Sequence, residues 1–163
     1  MIIAIDPGNI ESAYVVVDEK TYKLLDFGKY DNRVVHSIWA AFAFEDCKTV
    51  IEMVASYGMP VGKEVFDTCV WIGRFTECAA RYGSPVTYIP RLDEKMHICH
   101  DSRASDANIR RALIDRFAKH DLKNGKGTKK NPDYFHGFSC DVWAAFAVAV
   151  TYIDRMKEEK PND

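Results

Sequence analysis

The sequence predicts an α/β domain in which a five-stranded mixed sheet is flanked by helices, and three observations carry that expectation. Three strand-like segments precede the first helical pattern, after which strands and helices alternate. Two segments, Met1-Ile2-Ile3-Ala4-Ile5 and Thr49-Val50-Ile51, are continuous apolar runs too short for helices, as expected of strands covered on both faces. Hydrophobic residues make up 47% of the 163 positions and charged residues 28%, which suits one domain with a sizeable core.

The elements follow in order. Residues 1–6 form the first strand, and Gly8-Asn9 turns the chain into a β-branched second strand at 12–17. Asp18-Glu19-Lys20 is a polar turn, and a third strand at 22–30 completes an antiparallel meander. Apolar residues at helical spacing mark a first helix at 34–44; a fourth strand at 48–54 is ended by Ser56-Tyr57-Gly58-Met59-Pro60. A long helix at 62–82 is closed by Gly83-Ser84-Pro85, and a fifth strand at 86–89 is stopped by Pro90. Ser105 is the N-cap of a helix at 106–120. A flexible basic loop at 123–132 leads to a last helix at 139–157, so the domain spans 1–157 and 158–163 is a fraying polar tail.

Three carboxylates stand in apolar surroundings within this scheme. Asp6 ends the first strand before Pro7-Gly8, Glu52 ends Thr49-Val50-Ile51, and Asp141 opens the apolar run Val142-Trp143-Ala144-Ala145-Phe146. On the last helix Asp141 shares a face with Phe138, Ala144, Ala145, Val148 and Tyr152, a stripe that must pack on the sheet. A buried ionised carboxylate costs several kcal/mol unless it is paired or bound to a metal. No basic residue neighbours any of the three in sequence, so a shared divalent cation is an economical way to keep them all. Separately, Asp141 could cap its helix and Asp6 could stabilise a turn; needing both, and a third such explanation for Glu52, favours the metal.

Composition narrows the partners. A net charge of −2 argues against a general nucleic-acid binder, yet residues 91–130 carry 11 Lys/Arg against 6 Asp/Glu, enough for one basic face. Arg103, Arg110, Arg111, Lys126, Lys129 and Lys130 are candidates for phosphate contacts. No apolar run approaches the roughly 20 residues of a membrane helix, and no positive segment precedes the short apolar start, so no signal peptide is expected. Five dispersed cysteines read as reduced core residues of a cytoplasmic protein. Met96-His97-Ile98-Cys99-His100 lacks the second ligand pair of a zinc site, and Gly125-Lys126-Gly127-Thr128 lacks the strand and leading glycine of a phosphate loop.

Taken in order, several segments resemble the RuvC-like Holliday junction resolvases of the ribonuclease H-like superfamily, in particular their phage branch. They are Ile3-Ala4-Ile5-Asp6-Pro7-Gly8, Val50-Ile51-Glu52, the helix with Val61-Gly62, Phe66, Thr68 and Gly73-Arg74-Phe75, then Glu94-Lys95, Arg103-Ala104-Ser105-Asp106, Ala112 to Phe117, and Asp141-Val142-Trp143-Ala144-Ala145. The resemblance implies a ribonuclease H-like fold and a nuclease in which Asp6, Glu52 and Asp141 hold two Mg²⁺ or Mn²⁺ ions, with Asp6 bridging. It also implies branched, chiefly four-way DNA as substrate, resolved during phage recombination or replication in the cytoplasm of an infected cell. One ion would activate water for in-line attack and the other would stabilise the departing 3′-oxygen. Lys95 matches a basic family position.

Some positions depart from that pattern. Phe138 stands where cellular relatives place a fourth acid or a His, with Asp133 and His136 nearby as substitutes. Ala55 replaces a stacking aromatic, for which Tyr57 or Met59 could stand in, and Asp106 replaces a second Lys. The long helix carries two apolar stripes, Val65, Cys69, Ile72 and Ala79, and Trp71, Phe75, Cys78 and Tyr82, which suggests a sheet on one side and a second subunit on the other. A homodimer would match a two-fold junction. Two other classes compete. A catalytically silent DNA-binding dimer would gain from losing acids near phosphate. An ATP-binding domain of the actin and sugar-kinase type would need a second glycine-rich motif that the sequence lacks.

Overall fold

The computed structural model describes residues 1–42, 47–56, 58 and 60–159, apart from the side chain of Cys140. Strands β1 (Ile2–Asp6), β2 (Glu11–Val17) and β3 (Leu24–Asp31) precede helix α1 (Asn32–Phe42) and strand β4 (Lys48–Met53). Helix α2 (Lys63–Arg81), strand β5 (Val86–Pro90), and helices α3 (Arg91–Cys99), α4 (Asp106–Phe117) and α5 (Cys140–Glu159) follow. The sheet runs β3-β2-β1-β4-β5, antiparallel on the β1–β2–β3 side and parallel from β1 through β4 to β5.

Alternation along the central strand divides the core. Ile2 and Ala4 join the layer beneath α5 and α4, whereas Ile3 and Ile5 join the layer beneath α1 and α2. With both faces covered, β1 has no position for a polar residue until its end, which is why the strand reads as an unbroken apolar run. Helix α5 lies over β1 and β2, and Ala145, Ala147 and Ala149, all fully buried, let it approach closely. Phe138 packs among Phe27, Phe135 and Trp143, with ring centroids 4.8–5.2 Å away. The position that departs from the family pattern is thus part of the core.

Several boundaries differ from expectation for identifiable reasons. The third strand begins at Leu24 rather than 22 because Tyr22 is left-handed (φ 60°) within a turn closed by its N–H to the Asp18 carbonyl, 2.9 Å. Helix α1 starts at Asn32, whose buried side chain is bonded to the β1–β2 turn; the end expected at residues 43–44 lies outside the described residues. Helix α3 was not expected. Pro90 reads as a stop but is the extended residue before the first turn, and the residue α3 buries is Glu94, not an apolar stripe. Helix α5 continues to Glu159, two residues into the expected tail.

The basic segment after α4, expected as a flexible loop, folds back around two acids that collect main-chain N–H groups. Asp133 is buried, and its carboxylate accepts from the N–H groups of Lys119, His120, Asp121 and Tyr134 at 2.7–3.1 Å. Those N–H groups can no longer continue a helix, so α4 ends at Phe117 rather than 120. Burial would raise the Asp133 carboxyl, but the backbone donors outweigh it and hold the group well below the usual carboxylate range. Asp121 accepts from Asn124, Lys126 and Gly127 in the same way. Gly127 (φ 65°) has no room for a side chain, since a Cβ would lie 2.3 Å from the Asn131 carbonyl oxygen.

Cys47 and Cys78 are buried and Cys99 half-buried, but Cys69 is exposed, which corrects the expectation of core cysteines throughout. Among the described residues, no helix is long and apolar enough to cross a membrane. Replacing Asp133 with Ala should leave several main-chain N–H groups without their acceptor and lower the thermal midpoint by about 5 °C or more. Differential scanning calorimetry checks this, and an unchanged midpoint would mean that water replaces the carboxylate.

Candidate active site

The parity that builds the core also aims the acids. Parallel pairing sets Ile5 beside Ile51, so Asp6 and Glu52 each lie one residue further along adjacent strands. They follow Ala4 and Val50, not Ile5 and Ile51, and therefore face the α5 layer. Ile89 of β5 flanks Glu52 on the other side. The turn after Asp6 is clamped. The Gly8 N–H donates to Ser12 Oγ (3.2 Å), Ser12 Oγ to Asn32 Oδ1 (2.5 Å), and Asn32 Nδ2 to the Gly8 carbonyl (2.9 Å). A side chain at Gly8 would collide with the Glu11 carbonyl oxygen at 2.3 Å.

Asp6, Glu52 and Asp141 line one cleft of about 370 Å³, together with Arg91, Asp106, Ile109, Arg110, Trp143 and Ala144. The stripe that Asp141 shares is buried at Phe138, Ala145 and Val148, but Asp141 lies at its open end. In the first turn of α5 its side chain is 43% exposed and is drawn to Lys29 Nζ at 2.7 Å, with Glu11 on the same lysine at 3.3 Å. Among the described residues, no three His, Cys, Asp or Glu side chains close around one point as they stand. The donor chemistry still suits a hard divalent cation, being all carboxylate oxygen. A buried Glu52 oxygen also lacks any hydrogen-bond partner, an acceptor that calls for a positive group.

The electrostatics carry the same message. Burial first, then repulsion from Glu52 and Asp141, pushes the Asp6 carboxyl up to about 8. Burial also raises Glu52 against the opposing pull of Arg91. Burial would lower Arg91, but Glu94, Asp106 and Glu52 outweigh it and keep its guanidinium charged. Without a cation, Asp6 retains its proton at neutral pH.

Of the basic residues expected to meet DNA, the structure gathers only part. Arg110 lines the acid cleft with its guanidinium 5.3 Å over the Trp143 ring. Lys126 lines an adjoining cleft of about 420 Å³ that shares Arg110 and Trp143. Lys95 borders a separate depression beside Arg91. Arg103 is exposed near Asp101, Lys129 and Lys130 are exposed at the fold-back tip, and none of these three lines the acid cleft. Arg111 is committed to Asp115 (2.7 Å) and the Leu122 carbonyl (2.8 Å).

Neither substitute for a fourth ligand reaches the cleft: Asp133 is occupied by backbone donors, and His136 Nδ1 faces the Lys126 carbonyl at 3.1 Å. Tyr57 and Met59 lie outside the described residues, and Ala55 is exposed. His97 is bonded to Asp154 at 2.9 Å, not to a metal cluster. The sequence reading quoted Glu94 only within Glu94-Lys95 and missed Arg91 and their pairing, an i,i+3 contact on α3 at 2.6 Å beside Glu52. The signal was present in that spacing, but Pro90 concealed the helix.

An acid with a higher pKa folded than unfolded holds a proton that the unfolded chain has shed, so stability falls as pH rises through that window. For Asp6 the window runs from its ordinary value of 3.8 to about 8. In chelator, the thermal midpoint should therefore fall between about pH 5 and about pH 8, and Mg²⁺ should stabilise more at the higher pH. A flat, Mg²⁺-insensitive midpoint would contradict this arrangement of acids.

The sequence matches no protein-family model and no curated protein. Solved structures are similar to it. RuvC of Thermus thermophilus in complex with a Holliday junction substrate gives a TM-score of 0.68 at 13% identity, over 97% of this chain and 95% of that one. Another Thermus thermophilus RuvC structure gives 0.60 at 16% identity, over 95% of both chains. The fold of this chain is RuvC-like and ribonuclease H-like, a five-stranded mixed sheet in the order 3-2-1-4-5 flanked by helices.

Proposed function

We propose that the chain is a phage-type, metal-dependent endonuclease that cleaves branched DNA, chiefly four-way junctions, with residues 1–157 as its nuclease domain. The observation that carries this reading is the pair of half-buried acids at adjacent strand ends, Asp6 and Glu52, opposite Asp141 across one open cleft. The likeness in fold to a RuvC solved with a Holliday junction supports it.

Asp6, Glu52 and Asp141, the last released from Lys29, would hold two Mg²⁺ or Mn²⁺ ions. When bound, the ions supply an activated water and neutralise charge at the departing 3′-oxygen. The chain's own residues do the positioning. Arg110, braced on Trp143, grips a backbone phosphate at the cleft mouth, and Lys126 extends that grip along the adjoining cleft. Lys95, Arg103, Lys129 and Lys130 add contacts that give affinity without reading sequence. Such an enzyme works on replicating or recombining DNA in the cytoplasm of the infected cell.

A homodimer completes the proposal, through a surface that shares only Cys69 with the stripes read in the sequence. Ile72 and Ala79 of one stripe and Phe75 and Cys78 of the other merge into a single buried face of α2. The outward face instead shows Phe66 and Val70, 60% and 54% exposed, with Cys69 between them and Val61 nearby. Two copies meeting there would carry two clefts, one for each of two symmetric strands.

On a synthetic four-way junction with Mg²⁺, paired symmetric nicks are expected from the wild type. Asp6→Asn, Glu52→Gln and Asp141→Asn should each cut at least about a hundredfold more slowly while still binding the junction. Failure of the wild type to cut junction, fork, flap or RNA–DNA hybrid would overturn the nuclease reading. Light scattering should give a dimer for the wild type and a monomer for Val70→Asp; a monomeric wild type would remove the dimer alone.

A further inference from the structure

Behind Glu52 the structure contains an arrangement that the three-acid reading does not use. Arg91, the first residue of α3, lies between three carboxylates, and it does not treat them equally. Its Nη1 is 2.6 Å from Glu94 and its Nη2 is 2.5 Å from Asp106, both short charge-assisted hydrogen bonds. The same Nη1 is 3.7 Å from Glu52, beyond hydrogen-bond reach. The inner Glu52 oxygen is consequently buried with no partner, although a guanidinium lies next to it.

Glu94 accounts for this. It sits one turn after Arg91, its side chain leaning back toward the helix N-terminus and under the guanidinium. Its side chain has no solvent exposure, and its second oxygen is also unpartnered. A fully buried acid placed behind two other acids is costly unless it holds something. What it holds is Arg91, from below, while Asp106 at the start of α4 holds the other nitrogen from the rim.

We infer that Glu94 is a positioning residue that keeps Arg91 off Glu52 and so leaves Glu52 free to bind a divalent cation. This rests on the metal-dependent reading of the cleft. Shorten Glu94, and Arg91 would take Glu52 as its hydrogen-bond partner, occupying the ligand with a built-in cation.

The test is isothermal titration of Mg²⁺ into wild type, Glu94→Asp and the double variant Arg91→Gln/Glu94→Asp, with circular dichroism to establish folding. Glu94→Asp retains the carboxyl but not the reach, and it should bind Mg²⁺ about tenfold more weakly. Removing Arg91 as well should restore affinity to the wild-type level or tighter, which a merely structural role for Glu94 would not do. Wild-type affinity in Glu94→Asp overturns the inference. If that variant does not fold, Glu94→Leu, similar in volume and without an acceptor, decides. Its crystal structure should show Arg91 Nη1 within about 3 Å of a Glu52 oxygen, and an unmoved Arg91 overturns the inference. Wild type that cuts junctions while these variants behave normally refutes only the role of Glu94; wild type that neither binds Mg²⁺ nor cuts refutes the nuclease reading itself.

Discussion

Two carboxylates at the dry ends of adjacent central strands set the terms for everything around them. β1 and β4 are covered on both faces, so their side chains alternate between two apolar layers until the strands run out at Asp6 and Glu52. Both acids then point into the same layer, because parallel strands in register share parity. A pair of like charges this close and this buried cannot remain as it is in water. The polar clamp at Gly8, the guanidinium of Arg91 and the opening of the cleft toward Asp141 are each intelligible as responses to that one constraint.

Two cations meet the acids from opposite sides, and their circumstances differ. Lys29 holds Asp141 at the solvent edge, where both partners are more than a third exposed. Such pairs contribute about 0–1 kcal/mol, little beside what a coordinated divalent cation supplies, so this contact is easily exchanged. Arg91 is mostly enclosed and pinned at both nitrogens, so its place is part of the architecture. The outer acid is thereby adjustable and the inner pair is preset.

Much of this was legible in the chain. The apolar runs before Asp6 and Glu52 could only be two-sided strands, and the meander, the long helix and the final helix followed from ordinary punctuation. Asp6 and Glu52 were legible because an acid ending an apolar run has few structural uses. Helix α3 was not, because its buried member is Glu94 and a periodicity search looks for apolar residues. Asp133 was misread for a related reason. An acid in a basic, glycine-rich stretch looks like a loop residue near a site, whereas it collects main-chain N–H groups from residues more than ten positions away. The second face of α2 escaped because Phe66 and Val70 fall between the two stripes that spacing suggested, and only the packed sheet shows which side is covered.

The fold-back between α4 and α5 has a consequence of its own. Its shape is held by main-chain groups gathered onto Asp121 and Asp133 and by Gly127, while the lysines at its tip project from it without bracing it. Attraction to a polyanion and integrity of the fold are therefore separable variables in this part of the chain. If the protein holds a nucleic acid as proposed, substitution at Lys129 or Lys130 would tune how strongly, and at what salt concentration, it does so while the scaffold beneath stays the same.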